Sequence, residues 1–401
     1  MEKFEQLILN PVENLPYLIT TQMFPETKGL YVSDKTKDDE CVKKSKIGFA
    51  GREIYNREIH NIYDAWKKIL GIDYLSMRLL SGLHAHIIIF MAIGNIGDTV
   101  LLLPELAGGH YATKSILERL GYNVIEMAVD YNNYCVDIPA TVQIIKQEHP
   151  DFIFVDRSEG INYEDFSTLL ASVDDSICSI FDASQYLTNI LFGNLTSPFD
   201  MGFDIVLSTL HKNFPGPQKA LVCSKEDSIY WKRVLQGMSD YVSSLHVENI
   251  LYAGEILKHD GVLKQYSQVM LENSLSLEHE LSYLNVPIIP KKEDALPTHH
   301  IWIDINNQDK AYEFYKKLEN CNILVNYRNL PYNLGYGIRM GTAAATLQGL
   351  TPQNCKELAN IIAAVYFNEI SIEEAKICST YWIAALSPMT YSIEQQLDNS
   401  I

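Results

Sequence analysis

The feature that most constrains the fold is an alternation of short apolar runs with helical segments between residues 57 and 223. The apolar runs are 98–103, 122–127, 152–156, 177–182, 204–208 and 219–223, and the helical segments are 58–70, 84–93, 112–120, 139–147 and 164–172. Such alternation predicts a mostly parallel sheet with helices on both faces. The run FIFVD is apolar on both of its faces, as a buried parallel strand requires. We therefore predict an α/β fold.

Changes along the 401 residues predict four segments. Residues 1–56 form an N-terminal helix and arm, and residues 57–245 form a large ligand-binding domain. Residues 246–286 form a connecting helical segment, which we expect to break near Gly261. Proline-rich turns at 287–297 then open a small C-terminal α/β domain that continues to residue 401.

The composition excludes several classes of partner. The net charge of −18 disfavours binding to a phosphate backbone, so we expect no nucleic-acid partner. The most apolar run, Ile87–Ile93, is too short to span a bilayer, and the N-terminus does not resemble a secretory signal. The seven cysteines include no CxxC pair, which fits reduced thiols. We therefore expect a cytoplasmic globular protein without a membrane partner.

A lysine follows one of the predicted strands. His211 and Lys212 come directly after the run 204–208 and its neighbours Thr209 and Leu210, and the turn Phe214–Pro217 follows them. Open α/β sheets bind ligands at the carboxyl ends of their strands. One interpretation is an ordinary surface lysine in a loop. The other is a lysine that forms a Schiff base, activated by desolvation and neighbouring charge.

Three motifs in the same order resemble serine hydroxymethyltransferase. STLHKNFPGP (208–217) is similar to the family's T-T-H-K-x-x-x-G-P, GIRMGT (337–342) is similar to G-I-R-x-G-T, and LAGGH (106–110) also matches. The matching segments run colinearly from about Asn10 to Gly349. The resemblance implies a pyridoxal 5'-phosphate (PLP) cofactor and the aspartate-aminotransferase fold, called fold type I. It also implies a homodimer whose active sites draw residues from both chains.

The resemblance assigns roles to particular residues. It implies that Lys212 holds PLP as a Schiff base, that Asp182 pairs with the pyridine nitrogen, and that His110 stacks on the ring. Arg339 matches the arginine that binds the substrate carboxylate through two parallel hydrogen bonds. Because Ser81 and Gly82 precede a helix, they are predicted to bind the phosphate at its N-terminus. Further contacts are expected for the cofactor at Leu83, Ser158, Gln185, His211 and Ser243, and for the substrate at Glu13 and Tyr55.

The departures from the family pattern fall in its folate and substrate motifs. The tyrosine pair of K-R-Y-Y-G-G-C-E becomes Gly48-Phe49. The motif S-G-S-Q-A-N becomes SGLHAH at 81–86, D-x-A-H becomes DASQ at 182–185, and G-P-R becomes GPQ at 216–218. The groups expected to hold PLP and the substrate carboxylate are retained.

We therefore expect a PLP-dependent enzyme acting at the α-carbon of a glycine-, serine- or threonine-type amino acid, without folate. The expected reaction is aldol, retro-aldol or transaldol chemistry with an aldehyde. One alternative is an aminotransferase, because D-x-x-Q at 182–185 also resembles some class V aminotransferases. Others are a folate-dependent hydroxymethyltransferase and an inactive binding protein. Retention of Lys212, Asp182, His110 and Arg339 together argues against the last.

Other ligands have weaker support. His84-x-His86 is a conceivable metal pair, but residues two apart on a helix point to different faces, so we expect no metal. The sequence has no Walker loop, and no GxGxxG follows a predicted strand. We therefore expect neither nucleotide nor NAD binding.

Overall fold

A computed structural model of the chain describes residues 4–12, 53–243, 245–293 and 295–389. The side chains of residues 53–55 are not among those described. The strands are β1 (Leu7–Ile8), β2 (Tyr74–Ser76), β3 (Thr99–Leu102), β4 (Asn123–Glu126), β5 (Val129–Asp130), β6 (Cys135–Val136), β7 (Phe152–Val155), β8 (Asn162–Tyr163), β9 (Cys178–Asp182), β10 (Ile205–Thr209), β11 (Ala220–Ser224), β12 (Ile288–Ile289), β13 (Leu296–Pro297), β14 (His300–Asp304), β15 (Ile323–Leu324), β16 (Asn326–Leu330) and β17 (Gly335–Gly341). The α-helices are α1 (Glu53–Leu70), α2 (Gly82–Ile93), α3 (Thr113–Leu120), α4 (Ile138–Glu148), α5 (Ser167–Leu170), α6 (Leu187–Leu191), α7 (Pro198–Met201), α8 (Ile229–Tyr241), α9 (Val247–Leu257), α10 (Asp260–Tyr283), α11 (Gln308–Asn320), α12 (Ala343–Leu347), α13 (Cys355–Phe367) and α14 (Ile372–Ala385).

The described residues divide into two compact units. The first unit comprises residues 53–158 and 165–258, and the second comprises residues 4–12, 159–164 and 259–389. The predicted connecting segment is therefore divided, because α9 belongs to the first unit and α10 to the second. Residues 258–259 form a turn between these two helices, close to the helix break that we expected at Gly261.

The first unit is built on a seven-stranded sheet with the order β2-β11-β10-β9-β7-β3-β4. The pairs from β10 to β4 are parallel, whereas β11 is antiparallel to both β10 and β2. Strands β7, β9, β10 and β11 are buried at every position, which explains why their sequences are mostly apolar. The predicted α/β fold with a mostly parallel central sheet is confirmed.

Helix α2 carries the N-terminus that faces the carboxyl ends of these strands. Its sequence GLHAHIIIFMAI is apolar on most sides, and Ile88, Ile89, Phe90 and Ile93 join the core beside the sheet. A helix that is apolar all round is stable only when it is buried, which fits this position. Burying α2 in this way fixes Ser81, its N-cap residue, in place.

The second unit contains a four-stranded antiparallel sheet with the order β12-β14-β17-β16. Its core is formed by residues such as Ile301, Ile338 and Met340 together with apolar positions of α10, α11 and α13. Strand β1 pairs in parallel with β15 and so belongs to this unit.

One helix prediction was too long. The segment 164–172 forms only a single helical turn, α5, because Asn162 and Tyr163 are drawn into pairing with Leu296 and Pro297. Asp165 then accepts hydrogen bonds from the backbone N–H and the hydroxyl of Ser167 at 2.8 and 2.5 Å, which starts the turn there.

Candidate active site

A cleft of about 200 Å³ lies in the first unit where β9 and β10 end. Asp182 is the last residue of β9 and Thr209 is the last of β10, and neighbouring parallel strands bring their carboxyl ends to the same edge. The cleft is lined by Ser81, Gly82, Leu83, His86, His110, Tyr111, Asp182, Ser184, Thr209, His211 and Lys212. The structure therefore brings together most of the first-unit residues that the motifs singled out.

Lys212 lies in a tight connection between β10 and β11. The backbone N–H of Gly216 donates to the carbonyl of Leu210 at 2.7 Å, and a Cβ at position 216 would approach the same oxygen to 2.7 Å. The side chain of Asn213 accepts from the backbone N–H of Thr188 at 2.7 Å and donates to Asn189 at 2.9 Å. These bonds hold the loop on both sides of Lys212.

Asp182 carries a buried carboxylate. Its Oδ1 accepts hydrogen bonds from the backbone N–H (2.8 Å) and the hydroxyl of Ser184, and its Oδ2 lies 2.8 Å from Nε2 of His86. Burial raises the pKa of Asp182, but the hydrogen bond and charge of His86, with Lys212 and Ser184, outweigh it. The net effect lowers the pKa of Asp182, so its carboxylate stays ionised at neutral pH.

A second buried carboxyl stands behind this pair. The Nδ1 atom of His86 lies 3.3 Å from the hydroxyl of Thr113, which in turn interacts with Asp156. Burial raises the pKa of Asp156 well above its usual range, and the charge of Asp182 raises it further, whereas Thr113 and the backbone of His110 lower it. The surroundings therefore shift the pKa values of the two carboxyls in opposite directions, upward for Asp156 and downward for Asp182.

His110 is positioned by a glycine pair. Gly108 has φ of 87°, a left-handed conformation that favours glycine, and a Cβ on Gly109 would approach the carbonyl oxygen of Leu103 to 2.3 Å. The backbone N–H of Ser158 donates to the carbonyl of Gly108 at 2.8 Å. The ring of His110 then stacks on Tyr111, with 4.8 Å between ring centroids.

The N-terminus of α2 borders the cleft. The hydroxyl of Ser81 caps this twelve-residue helix by accepting from the backbone N–H of His84 at 3.3 Å. The first-turn N–H groups and the helix dipole favour a phosphate there. Both Ser81 and Gly82 line the cleft that contains Lys212.

Two buried polar atoms of the cleft have no hydrogen-bond partner within the described part of the chain. They are the hydroxyl of Thr209 and Nδ1 of His211. Burial, with the nearby charge of Lys212, lowers the pKa of His211 to about 4, so its imidazole is neutral. A buried polar atom without a partner costs about 1–3 kcal/mol, which a polar ligand would recover. An amine, a carboxylate and a helix N-terminus in one cleft fit the aldehyde, pyridine nitrogen and phosphate of PLP.

Other predicted residues lie elsewhere. Gln185 is buried in the turn after Asp182, and Ser243 is exposed after α8. Arg339 is buried on β17 in the second unit, where its guanidinium lies 3.5 Å from Glu159. Glu13 and the side chain of Tyr55 lie outside the described residues.

Sequence reasoning missed four residues of the cleft, namely His86, Tyr111, Ser184 and Thr209. His86 was noted in the altered motif at 81–86 and as half of a metal pair with His84, but it was given no role at the cofactor. The two histidines do diverge, because Nδ1 of His84 accepts from the backbone N–H of Leu80 at 3.0 Å. Within the described residues, no His, Cys, Asp and Glu side chains are grouped as metal ligands. The spacing Asp182-x-Ser184 was the available signal for Ser184, because aspartate commonly bonds two residues ahead.

No family model matches this chain, but several known proteins are similar to it over most of its length. It is 25% identical over 390 residues to a serine hydroxymethyltransferase of Sulfolobus acidocaldarius, covering 93% of this chain and 87% of that protein. It is 26% identical over 304 residues to an L-threonine:uridine-5'-aldehyde transaldolase of a Streptomyces species, covering 74% and 71% of the two chains. The solved L-threonine transaldolase of Pseudomonas fluorescens, in its internal aldimine state, has the same fold, with a TM-score of 0.91, 21% identity and coverage of 98% and 91%.

These similarities confirm the resemblance predicted from the motifs. Among the described residues, no helix has the length and apolar character needed to cross a membrane.

Proposed function

We propose, on the basis of this relationship to the serine hydroxymethyltransferase-like enzymes, that the chain is a PLP-dependent, folate-independent transaldolase of the threonine type. The observation that carries the proposal is the cleft in which Lys212 meets ionised Asp182 beside two unpartnered polar atoms, of Thr209 and His211. The relative from Streptomyces and the solved structure are both named threonine transaldolases, which supports this branch of the chemistry.

Five residues of the cleft have defined roles in this proposal. The amine of Lys212 would bind the aldehyde of PLP, Asp182 would hold a proton at the pyridine nitrogen, and the α2 N-terminus at Ser81 would bind the phosphate. His110 would stack on the ring, and neutral His211 would hydrogen-bond within the cleft. PLP, when bound, supplies an electron sink for charge that develops at the substrate α-carbon.

The remaining groups act on the substrate. Arg339 would bind the carboxylate of the amino acid. The β-hydroxyl of a threonine-type donor then gives up its proton as the bond between the α and β carbons breaks, so the β carbon leaves as an aldehyde and the electron pair stays at the α-carbon. That carbon forms a new bond to the carbonyl carbon of an acceptor aldehyde, whose oxygen takes up a proton to become the new β-hydroxyl. The products are a β-hydroxy-α-amino acid and the released aldehyde.

The cofactor assignment is tested by absorption spectroscopy. Purified protein mixed with PLP is expected to show the visible band of a Schiff base, which Lys212→Ala abolishes. Lys225→Ala is the matched control, because Lys225 is an exposed lysine of the same unit that pairs with Asp200. Absence of the band in the wild type, or its persistence in Lys212→Ala, would overturn the assignment and favour an inactive binding protein.

The reaction branch is tested with the holoenzyme and L-threonine. A transaldolase releases acetaldehyde and, when a second aldehyde is added, forms a new β-hydroxy amino acid, both without tetrahydrofolate. The second candidate is folate-dependent serine hydroxymethyl transfer, favoured by the Sulfolobus relative that matches 93% of this chain. Turnover of serine only with tetrahydrofolate would select that candidate. Conversion of the amino acid to a keto acid, with bound PLP left in its amine form, would select an aminotransferase.

We also propose a homodimer with shared active sites and a cytoplasmic location. The family resemblance supports the dimer, and exposed Ser243 is the predicted contact to the partner's cofactor. Light scattering on the purified holoenzyme tests the dimer, which a monomeric mass would contradict. The location is supported by the free state of the described cysteines. Cell fractionation tests it.

A further inference from the structure

Two arginines and a glutamate form a buried cluster in the second unit. Glu159 Oε1 forms an ion pair with Arg328 and lies 3.5 Å from Nη1 of Arg339. The side chains of Glu159 and Arg339 are 1% and 4% exposed, whereas that of Arg328 is 27% exposed. We call these three residues the Glu159 cluster.

Strand register places both arginines on the same face of the sheet. Asn326 on β16 lies opposite Arg339 on β17, and Arg328 is two residues beyond Asn326. Side chains two apart on a strand share a face, so Arg328 and Arg339 are diagonal neighbours. Like charges at such positions repel, and the carboxylate of Glu159 offsets that repulsion.

The backbone of Glu159 is firmly held within the second unit. The next residue, Gly160, donates its N–H to Nδ1 of His300 at 3.2 Å, and the backbone N–H of Thr298 donates to the carbonyl of Ile161 at 3.0 Å. The strand pairing of β8 with β13 follows immediately. Glu159 is therefore a fixed charge and not a mobile surface carboxylate.

The net charge of the cluster is the sum of the charges of its three side chains. Two guanidinium groups contribute +2 because arginine stays protonated in proteins, and one carboxylate contributes −1, which leaves +1. We infer that Glu159 limits the arginine cluster to one unit of positive charge and thereby selects amino acids that carry a single carboxylate. Once the substrate carboxylate is bound, the cluster keeps no uncompensated positive charge for a second anionic group. This inference rests on the proposed role of Arg339 in binding the substrate carboxylate.

The test measures dissociation constants of L-threonine and L-aspartate with the holoenzyme, from the change in visible absorption of bound PLP. The variants are Glu159→Gln, Arg328→Gln and the double variant with both changes. The matched control is Glu293→Gln, because Glu293 is an exposed glutamate of the same unit. Circular dichroism and thermal unfolding show whether each variant is folded.

The charge count predicts a different result for each variant. Glu159→Gln brings the cluster to +2 and is expected to shift the affinity ratio toward L-aspartate by about tenfold or more, since a misplaced like charge costs several kcal/mol. Arg328→Gln brings it to 0 and is expected to weaken binding of both amino acids by about tenfold. The double variant returns to +1 and is expected to restore the preference for L-threonine.

Several outcomes overturn the inference. One is an affinity ratio between L-aspartate and L-threonine that is the same in Glu159→Gln as in the control Glu293→Gln. Another is a folded double variant without the preference, as expected if Glu159 only holds Arg339 in place. If Glu159→Gln does not fold, the double variant, which lacks the excess charge, decides the question by itself. A wild-type holoenzyme that binds PLP but neither amino acid would contradict the proposed function and the inference with it, whereas an unchanged ratio with intact threonine binding contradicts the inference alone.

Discussion

The pair of His86 and Asp182 gives the sharpest prediction about the first unit. The change is His86→Asn, which places the residue of the family pattern S-G-S-Q-A-N at this position. The shorter asparagine is not expected to reach Oδ2 of Asp182 across the 2.8 Å contact made by the longer imidazole. Burial, the largest influence on Asp182, would then act with less opposition, so the pKa of Asp182 is expected to rise.

The size of the effect follows from the geometry. Both side chains of the pair are nearly inaccessible, at 2% and 11% exposure, so solvent screens their contact weakly. A hydrogen bond to a charged group contributes about 1.5–3 kcal/mol, and removing one partner of a buried charge pair costs about 3–5 kcal/mol. Asp182 keeps its two bonds from Ser184. We therefore expect a loss of about 2–3 kcal/mol in the free energy of unfolding at pH 7, at the lower end of these ranges.

The sign of the pH dependence is set by the lowered pKa of Asp182 in the folded wild type. A carboxyl with a lowered folded pKa stabilises the protein above its unfolded pKa, about 3.9, and the stabilisation is lost as the pH falls through the folded value. The difference between wild type and His86→Asn should therefore be full at pH 7 and shrink in acid. Urea unfolding of the cofactor-free proteins from pH 7 to below that unfolded pKa measures it.

Binding of PLP provides a second measurement. Asp182 is the proposed partner of the pyridine nitrogen, so His86→Asn is expected to weaken PLP binding at pH 7 by about tenfold or more, because the hydrogen bond that holds this carboxylate in place is lost. The control is His279→Asn, which changes an exposed histidine of the second unit. Wild-type stability and wild-type PLP affinity in a folded His86→Asn protein would refute the reasoning.

Three further changes test the surroundings of the cleft. Gly109→Ala places a Cβ 2.3 Å from the carbonyl oxygen of Leu103, so we expect a loss of stability of about 3 kcal/mol or more by urea unfolding, and a wild-type midpoint would contradict the packing argument. Asp156→Asn replaces a carboxyl whose raised folded pKa makes its contribution fall as the pH rises above about 4, so the variant should gain stability relative to the wild type as the pH rises from there; a difference that does not change with pH would show that the pKa of Asp156 is not raised. Thr209→Val removes a buried hydroxyl without a partner among the described residues, so thermal unfolding should show an unchanged or more stable cofactor-free protein, by up to about 1 kcal/mol, with weaker PLP binding. Equal PLP affinity would remove Thr209 from the cofactor site.

The central sheet was predictable because its signal is local. Strands β7, β9, β10 and β11 are buried on both faces, so each appears in the sequence as a mostly apolar run. The strands β8 and β13 are two residues each and carry no periodic pattern. Their pairing joins residues more than 130 positions apart, which no local signal reports, and it displaced the start of the helix predicted at 164.

The residues of the candidate active site that belong to a recognisable sequence motif were predictable. Lys212, Asp182 and His110 stand at strand ends or beside a glycine pair, where residue type and position together indicate chemistry. The Glu159 cluster was not predictable, because it depends on strand register in a sheet whose strands the sequence analysis did not define. Arg328 faces the same side as Arg339 only because Asn326, and not its neighbour Tyr327, lies opposite Arg339. A shift of one residue would turn Arg328 to the other face.

Two departures from the family pattern, at positions 86 and 185, are related in the structure. The pattern has an imidazole at the position of Gln185 and an amide at the position of His86, and this chain has the two exchanged. The imidazole at 86 bonds directly to Asp182, and its other ring nitrogen faces the hydroxyl of Thr113, which interacts with the carboxyl of Asp156. Asp182 is thus kept ionised from the side of α2. His86 itself lines the cleft together with Lys212 and His211. A residue pattern that records only which groups are retained would miss this rearrangement, since the retained Asp182 owes its charge to the altered His86.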